Sequence, residues 1–288
     1  MKLRSVPYAG SLRMSRVLTA EVNRDVTPET TAVRPDSSRR EVMSDLSDVR
    51  ALTFDIFGTT VDWRSGVAAD GRRLGKLHGI EADWELVADA WRALYVPYMN
   101  RVRLGELPWT NFDRLHRLSL DQVIDDLGIE GFDEAIREEF TLVWERLPAW
   151  PDAKAGLVTL GKRFTVATLS NGNRSQQQAL MRFTGLPFHR LLSAEDFAHY
   201  KPDPEVYLGA VAALGLEPGQ VMMVAAHKSD LRGAQSAGLR AAFVERPMEK
   251  GPSGGADSLP DPLADVQATD FVDLANWLGR QLRSKEPA

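Results

Sequence analysis

The 288-residue sequence contains no cysteine. Disulfides, thiolate metal sites and cysteine nucleophiles are therefore excluded, and any chemistry must come from other side chains. Long apolar runs are also missing: no stretch approaches the roughly 20 residues that a membrane-spanning helix needs. There is no excess of positive charge either. The 35 Lys and Arg against 40 Asp and Glu give a net charge of −5, which offers nothing to attract nucleic acid or an anionic membrane. What is present, 43% hydrophobic and 26% charged residues, is an ordinary globular composition with length for one large domain or two modest ones. A soluble cytoplasmic protein with no nucleic-acid or membrane partner is expected.

The first 47 residues lack apolar periodicity. They carry Lys2, Arg4, Arg13, Arg16, Arg24, Arg34, Arg39 and Arg40 among Ser, Thr and Pro. A secretory signal needs an apolar stretch of about 7–15 residues, and Val17-Leu18-Thr19-Ala20 is too short for one. Residues 1–47 therefore read as a disordered tail.

The informative stretch is Leu52-Thr53-Phe54-Asp55-Ile56-Phe57-Gly58-Thr59-Thr60-Val61-Asp62-Trp63. An apolar run ends in an acid followed at once by Gly and Thr, as expected where a buried parallel strand delivers a residue to a site at its carboxyl end. A turn-opening aspartate would look the same from this motif alone. From about 65 to 147 the large apolar residues recur at helical spacing, with no strand visible. Helices are expected over 84–95, disturbed or ended by Pro97, then from a cap at Thr110 to Gly128, then over 133–146. Beyond Pro148 and Pro151 the pattern alternates. Asp152 caps a helix through Leu160; strands are expected at 164–169, 189–193, 221–224 and 241–244; helices fall near 175–183, 205–214 and 231–237. Residues 246–268 read as a long loop, and Phe271–Leu282 as a closing helix. Strands separated by helices imply a parallel sheet with right-handed crossovers. The fold class is α/β, a doubly wound, mostly parallel Rossmann-like sheet with an all-helical insert. The domain division is a core of 48–64 and 149–288 and a helical cap of 65–148.

Polar groups then stand at successive strand ends: Asp55 and Thr59, Ser170 and Asn171, Asp230, with Lys201 on a fourth loop. This ordered set resembles the haloacid dehalogenase superfamily over about residues 50–245. In detail it is similar to the type II (S)-2-haloacid dehalogenases through Phe54-Asp55-x-Phe57-Gly58-Thr59, Leu169-Ser170-Asn171-Gly172-Asn173, and Tyr200-Lys201-Pro202-Asp203 with Tyr207 behind it. Phosphatases of that superfamily carry a second aspartate where this chain has Phe57. An aromatic cannot protonate a leaving alcohol, and losing a general acid forfeits roughly 10²–10⁴ in rate. A halide leaves without a proton.

The resemblance implies that Asp55 displaces halide from C2 of a 2-haloalkanoate, chlorinated or fluorinated, and that water hydrolyses the resulting ester. It assigns Ser170 and Thr59 to the substrate carboxylate and nucleophile, Lys201 to keeping Asp55 ionised, and Asp230 to Lys201 or the water. Phe57, Arg101, Arg103, Tyr207 and His227 are the expected substrate or halide contacts; residues two apart on a helix face different ways, so at most one of Arg101 and Arg103 points at Asp55, and Arg101 is the favoured one. Trp63, Tyr98 and Trp109 are candidate pocket walls. No metal or other cofactor is called for, the partner is a small 2-haloacid, and a homodimer formed partly through the cap is common among such relatives. The chain departs from the pattern at Ala225 and His227, where a polar pair is usual. A Mg²⁺-dependent phosphatase, another carbon–heteroatom hydrolase and a non-catalytic binding protein remain open beside the leading reading.

Overall fold

The run leading to Asp55 forms β1 (Ala51–Phe54), buried along its whole length, as near-continuous apolar sequence requires of a strand covered on both faces. The structure is a computed structural model and describes residues 46–252, 254, 257 and 260–283. The tail assigned to 1–47 thus lies almost wholly outside the described residues, although Leu46 is already buried in the core.

Between β1 and the next strand stand α1 (Trp63–His78), α2 (Trp84–Ala93), α3 (Tyr95–Arg103), α4 (Phe112–Asp126) and α5 (Glu134–Thr141), the last tightening into a 3₁₀ turn over Leu142–Glu145. Asp62, Asp83, Asn111 and Asp133 open four of these helices by accepting a backbone N–H three residues on, which satisfies donors that a helix start leaves unpaired. Asn111, not the expected Thr110, is therefore the cap of α4. Pro97 does not end a helix. The break falls at Leu94, and Pro97 sits in the first turn of α3, where its missing N–H has no intrahelical partner to lose.

The chain continues through α6 (Ala153–Leu160), β2 (Thr165–Thr168), α7 (Arg174–Thr184), α8 (Pro204–Leu214), β3 (Val221–Ala225), α9 (Lys228–Ser236), β4 (Arg240–Val244), β5 (Val266–Ala268) and α10 (Phe271–Arg283). The five strands are parallel in the order β2-β1-β3-β4-β5. The chain turns one way from β1 to reach β2 and the other way to reach β3, so β1 lies at the switch point where open α/β sheets bind ligands. Phe54 pairs with Thr168 on one side and Val224 on the other, which brings the residues after all three strands level with Asp55.

Two expectations change. No strand forms over 189–193; only isolated bridges join Arg190 to Ala167 and Ser193 to Ser170. The Thr168 hydroxyl interrupts the ladder, accepting the Leu192 N–H (2.9 Å) and donating to the Leu192 carbonyl (3.2 Å). Conversely, the expected loop 246–268 ends in β5, which pairs with β4.

The pleat divides the core. Leu52, Phe54, Val166 and Val224 face α6 and α10. Ala51, Ala167, Met223 and Phe243 face the other way, in an apolar cluster that runs unbroken into Trp84, Trp91, Phe140 and Trp144 of the helical insert. The insert's two connections lie side by side: Asp62 N–H donates to Pro148 O (2.9 Å), Trp150 N–H donates to Thr60 O (3.1 Å), and Val61 pairs with Ala149. No helix among the described residues is long and apolar enough to cross a membrane.

Helices α6 and α10 approach so closely that a Cβ on Gly156 would run into Phe271, backbone included. Gly156→Val is expected to lower the unfolding free energy by about 1–3 kcal/mol or more, the usual cost of overpacking, read as a lower urea midpoint with an unchanged m-value.

Candidate active site

Asp55 leaves the end of β1 with its N–H bound to Val224 O (3.0 Å) and its carbonyl accepting from Thr60 Oγ1 (2.6 Å). Asp55 is 7% exposed, and its carboxylate is fully engaged. Oδ1 accepts from Lys201 Nζ (2.9 Å). Oδ2 accepts from Thr59 Oγ1 (2.7 Å) and faces His227 Nδ1 at 3.1 Å. Thr59 in turn accepts the Ala226 N–H (2.9 Å), so its own proton is committed to Asp55. Burial alone would raise the Asp55 pKa. The Lys201 charge, with His227 and Thr59, outweighs it and holds the carboxyl well below the usual carboxylate range.

Lys201 comes from the loop before α8. Its ammonium also donates to Asp230 Oδ2 (2.6 Å); burial would neutralise it, but Asp230 and Asp55 keep it charged and raise its pKa. Asp230 lies in the first turn of α9, whose cap position is held by His227. Its Oδ1 accepts from Tyr207 Oη (2.6 Å). Burial is the main reason its pKa is raised. On the other flank, His227 Nε2 lies 2.9 Å from Glu249 Oε1, which also accepts from Trp63 Nε1 (2.9 Å). Gly58 permits this approach. Its φ is +97°, and a Cβ would collide with the Glu249 carboxylate.

Asn171 closes the β2 side. Its Oδ1 accepts the Lys201 N–H (2.8 Å), and its Nδ2 donates to Tyr95 Oη (3.1 Å) and Met99 Sδ (3.2 Å) on α3. These groups open on a cavity of about 740 Å³ between the sheet edge and α2–α3, lined by Asp55, Lys201, Asp230, Asn171 and His227 from the core. The insert contributes Arg92, Tyr95 and Met99, and Trp63 stands beside them.

Several expected contacts fall elsewhere. Phe57 is 2% exposed and packs on Phe112 and Trp144; it anchors the insert rather than lining the cavity. Tyr207 is fully buried beneath Asp230. Thr59 and Ser170 are fully buried as well and are not lining residues; Ser170 Oγ accepts the Gly172 N–H (3.0 Å). Arg101 points outward, 3.9 Å from Glu106 and over Tyr98. Arg103 reaches the cavity rim but is bound to Asp203 at 2.6 and 2.9 Å. Tyr98 turns to Leu118 O and Gln122, and Trp109 packs at a tilt against Tyr200.

The arginine inside is Arg92, at the end of α2. Its guanidinium lies 4.0 Å from the Tyr95 ring centroid and 5.5 Å from that of Trp63. Among the described residues no acceptor reaches its buried Nη1. The i,i+3 spacing of Arg92 and Tyr95 was the available signal. Glu249, in a loop rich in Gly, Pro and Asp, had none.

A family model matches residues 49–238 under the description haloacid dehalogenase-like hydrolase. The chain belongs to that family. Among relatives, the (S)-2-haloacid dehalogenase 4A of Burkholderia cepacia is 29% identical over 204 residues, spanning 70% of this chain and 85% of that one. A crystal structure of an L-2-haloacid dehalogenase aligns at TM-score 0.78 and 42% identity over 81% of this chain and 99% of its own. A defluorinating L-2-haloacid dehalogenase aligns at TM-score 0.78 and 39% identity over 80% and 95%. A phosphoserine phosphatase of Thermus thermophilus is 31% identical over 136 residues, 46% of this chain and 55% of that one.

Lys201 compensates two buried carboxylates, and removing one member of such a set costs roughly 3–5 kcal/mol. Lys201→Met is expected to be destabilised by about that much at pH 7. Without the ammonium, burial is expected to push the Asp230 pKa further above its unfolded value, and Asp55 loses the charge that lowers it most, so the deficit is present at neutral pH and shrinks as pH falls towards 4. Urea denaturation across that range measures it. A deficit that stays constant with pH would contradict the assignment.

Proposed function

We propose that this family member hydrolyses short (S)-2-haloalkanoates to (R)-2-hydroxyalkanoates through an ester on Asp55, without a cofactor. The observation that carries the reading is a dehydrated carboxylate, kept ionised by Lys201, in the same cavity as an arginine whose buried Nη1 has no acceptor among the described residues. The carboxylate is a nucleophile, and the open guanidinium nitrogen fits a departing halide or the substrate carboxylate. Asp55 attacks C2 and expels halide with inversion. Arg92 and Asn171 hold the halide, Thr59 orients the nucleophile, Asp230 takes a proton from the water that cleaves the ester, and Ser170 shapes the Asn171 loop. Residues 65–148 act as a cap over the core of 48–64 and 149–288, so that water is excluded when the halide leaves. The names borne by the haloacid dehalogenase relatives support the substrate class.

Phosphate-ester hydrolysis is the weaker alternative despite the phosphatase relative. The position that would supply a general acid is Phe57, whose ring lies among the aromatic side chains of the insert, where no proton can be transferred.

Halide release from (S)-2-chloropropionate in EDTA tests the reading, with the (R) enantiomer as control. Release from the (S) form alone is expected, and Asp55→Asn is expected to abolish it. Unchanged halide release by Asp55→Asn would contradict the nucleophile assignment. Arg92→Met removes one charged hydrogen bond worth about 1.5–3 kcal/mol, so kcat/KM is expected to fall about 10–100-fold, whereas Arg101→Met is expected to leave it unchanged.

A further inference from the structure

His227 holds both ring nitrogens against carboxylate oxygens, Nδ1 on Asp55 Oδ2 at 3.1 Å and Nε2 on Glu249 Oε1 at 2.9 Å. Ionised carboxylates accept and cannot donate, so each contact requires a proton on the ring. Burial opposes that charge, but Glu249 and Asp55 outweigh it and push the His227 pKa up to about 10. Glu249 itself stays ionised, its pKa brought down to about 2 against burial, chiefly by His227. Lys201, Asp230, Arg92 and Lys250 also line this cavity, as do Asp89, Arg103 and Asp257. A doubly protonated ring has no lone pair with which to take a proton from water. It can only donate.

The same Oδ2 receives the Thr59 hydroxyl at 2.7 Å, whereas Oδ1 faces Lys201. Resting on the reading of Asp55 as the alkylated nucleophile, we propose that Oδ1 forms the bond to the substrate carbon, that Oδ2 remains the ester carbonyl oxygen, and that His227 Nδ1–H and Thr59 Oγ1–H form an oxyanion hole for it. Water bonds to the Asp55 carboxyl carbon, its proton passes to Asp230, and the carbonyl electron pair moves onto Oδ2 between the two donors. Collapse restores the carbonyl and breaks the bond from that carbon to Oδ1. The alkoxide leaves with Oδ1 and takes the proton back from Asp230; the new carboxyl group releases its proton to solvent, regenerating the Asp55 carboxylate. Glu249 is a positioning residue. Once Asp55 is a neutral ester, Glu249 is the anion still in contact with the ring, and it keeps the imidazolium charged for the second step.

Rapid-quench halide release and intact-mass detection of the ester separate the two steps. His227→Leu, which leaves no donor at this position, is expected to keep the halide burst while ester hydrolysis slows roughly 10²–10³-fold, as when one oxyanion donor is removed. In the wild type, hydrolysis falls as pH rises through the His227 titration, and Glu249→Gln shifts that fall to lower pH. A hydrolysis rate that instead rises with pH through that titration would indicate a general base and overturn the proposal. A normal burst with unimpaired hydrolysis in His227→Leu overturns it alone, whereas no halide release from the wild type overturns the dehalogenase reading and the ester step with it. ¹⁵N NMR of the wild type without substrate is independent of turnover: both His227 ring nitrogens are expected to be protonated at pH 7, and a neutral ring overturns the proposal.

Discussion

A buried negative charge at the end of β1 is the constraint on which the rest of the site depends. Taking a carboxylate out of water is expensive unless compensating charge and hydrogen bonds stand ready. Asp55 has Lys201 on one oxygen and Thr59 with His227 on the other, and each of those donors is fixed by a further partner. Asp230 and the Asn171 side chain fix Lys201, the Ala226 N–H fixes Thr59, and Glu249 fixes His227. Positive and negative groups alternate along the chain Asp230–Lys201–Asp55–His227–Glu249. Each charge is tolerable because its neighbours are opposite, and the same alternation leaves the central carboxylate ionised.

The sheet makes this alternation possible. Parallel strands β2, β1 and β3 end level with one another, so three loops meet at one edge, and Lys201 reaches it from a fourth. The insert completes the enclosure from the other side with Arg92, Tyr95 and Met99. Phe57 links the two layers: it follows Asp55 by two residues yet packs against Phe112 and Trp144. One short segment thus supplies both the buried carboxylate and the apolar contact that seats the insert over it.

Much of this was legible in the sequence because it rests on short-range rules. Apolar runs ending in polar residues located β1, β2 and β3, and the ordered set of Asp55, Ser170, Asn171, Lys201 and Asp230 pointed to one site. What was not legible depends on tertiary placement. Arg92, rather than Arg101 or Arg103, enters the cavity because α3 restarts at Tyr95 and turns the later arginines towards Glu106 and Asp203. Tyr207 and Phe57 are aromatic and near the site in sequence, but they point beneath it. Glu249 lies 194 positions after Asp55 in a loop without periodicity, and only the folded chain brings it beside Gly58. The expected strand at 189–193 failed because one threonine hydroxyl replaced a backbone partner, an event that strand propensity does not encode.

The paired connections at Thr60–Asp62 and Pro148–Trp150 have a bearing on how such a molecule can change over evolutionary time. Loop-closure entropy depends on how far apart the ends of a segment must be held, and here they are already joined by backbone hydrogen bonds. The chain therefore enters and leaves the insert through a single short hairpin base, whatever its length. Lineages could lengthen, trim or exchange the insert as a cassette, altering which molecules gain entry while β1 and its charge ladder stay as they are.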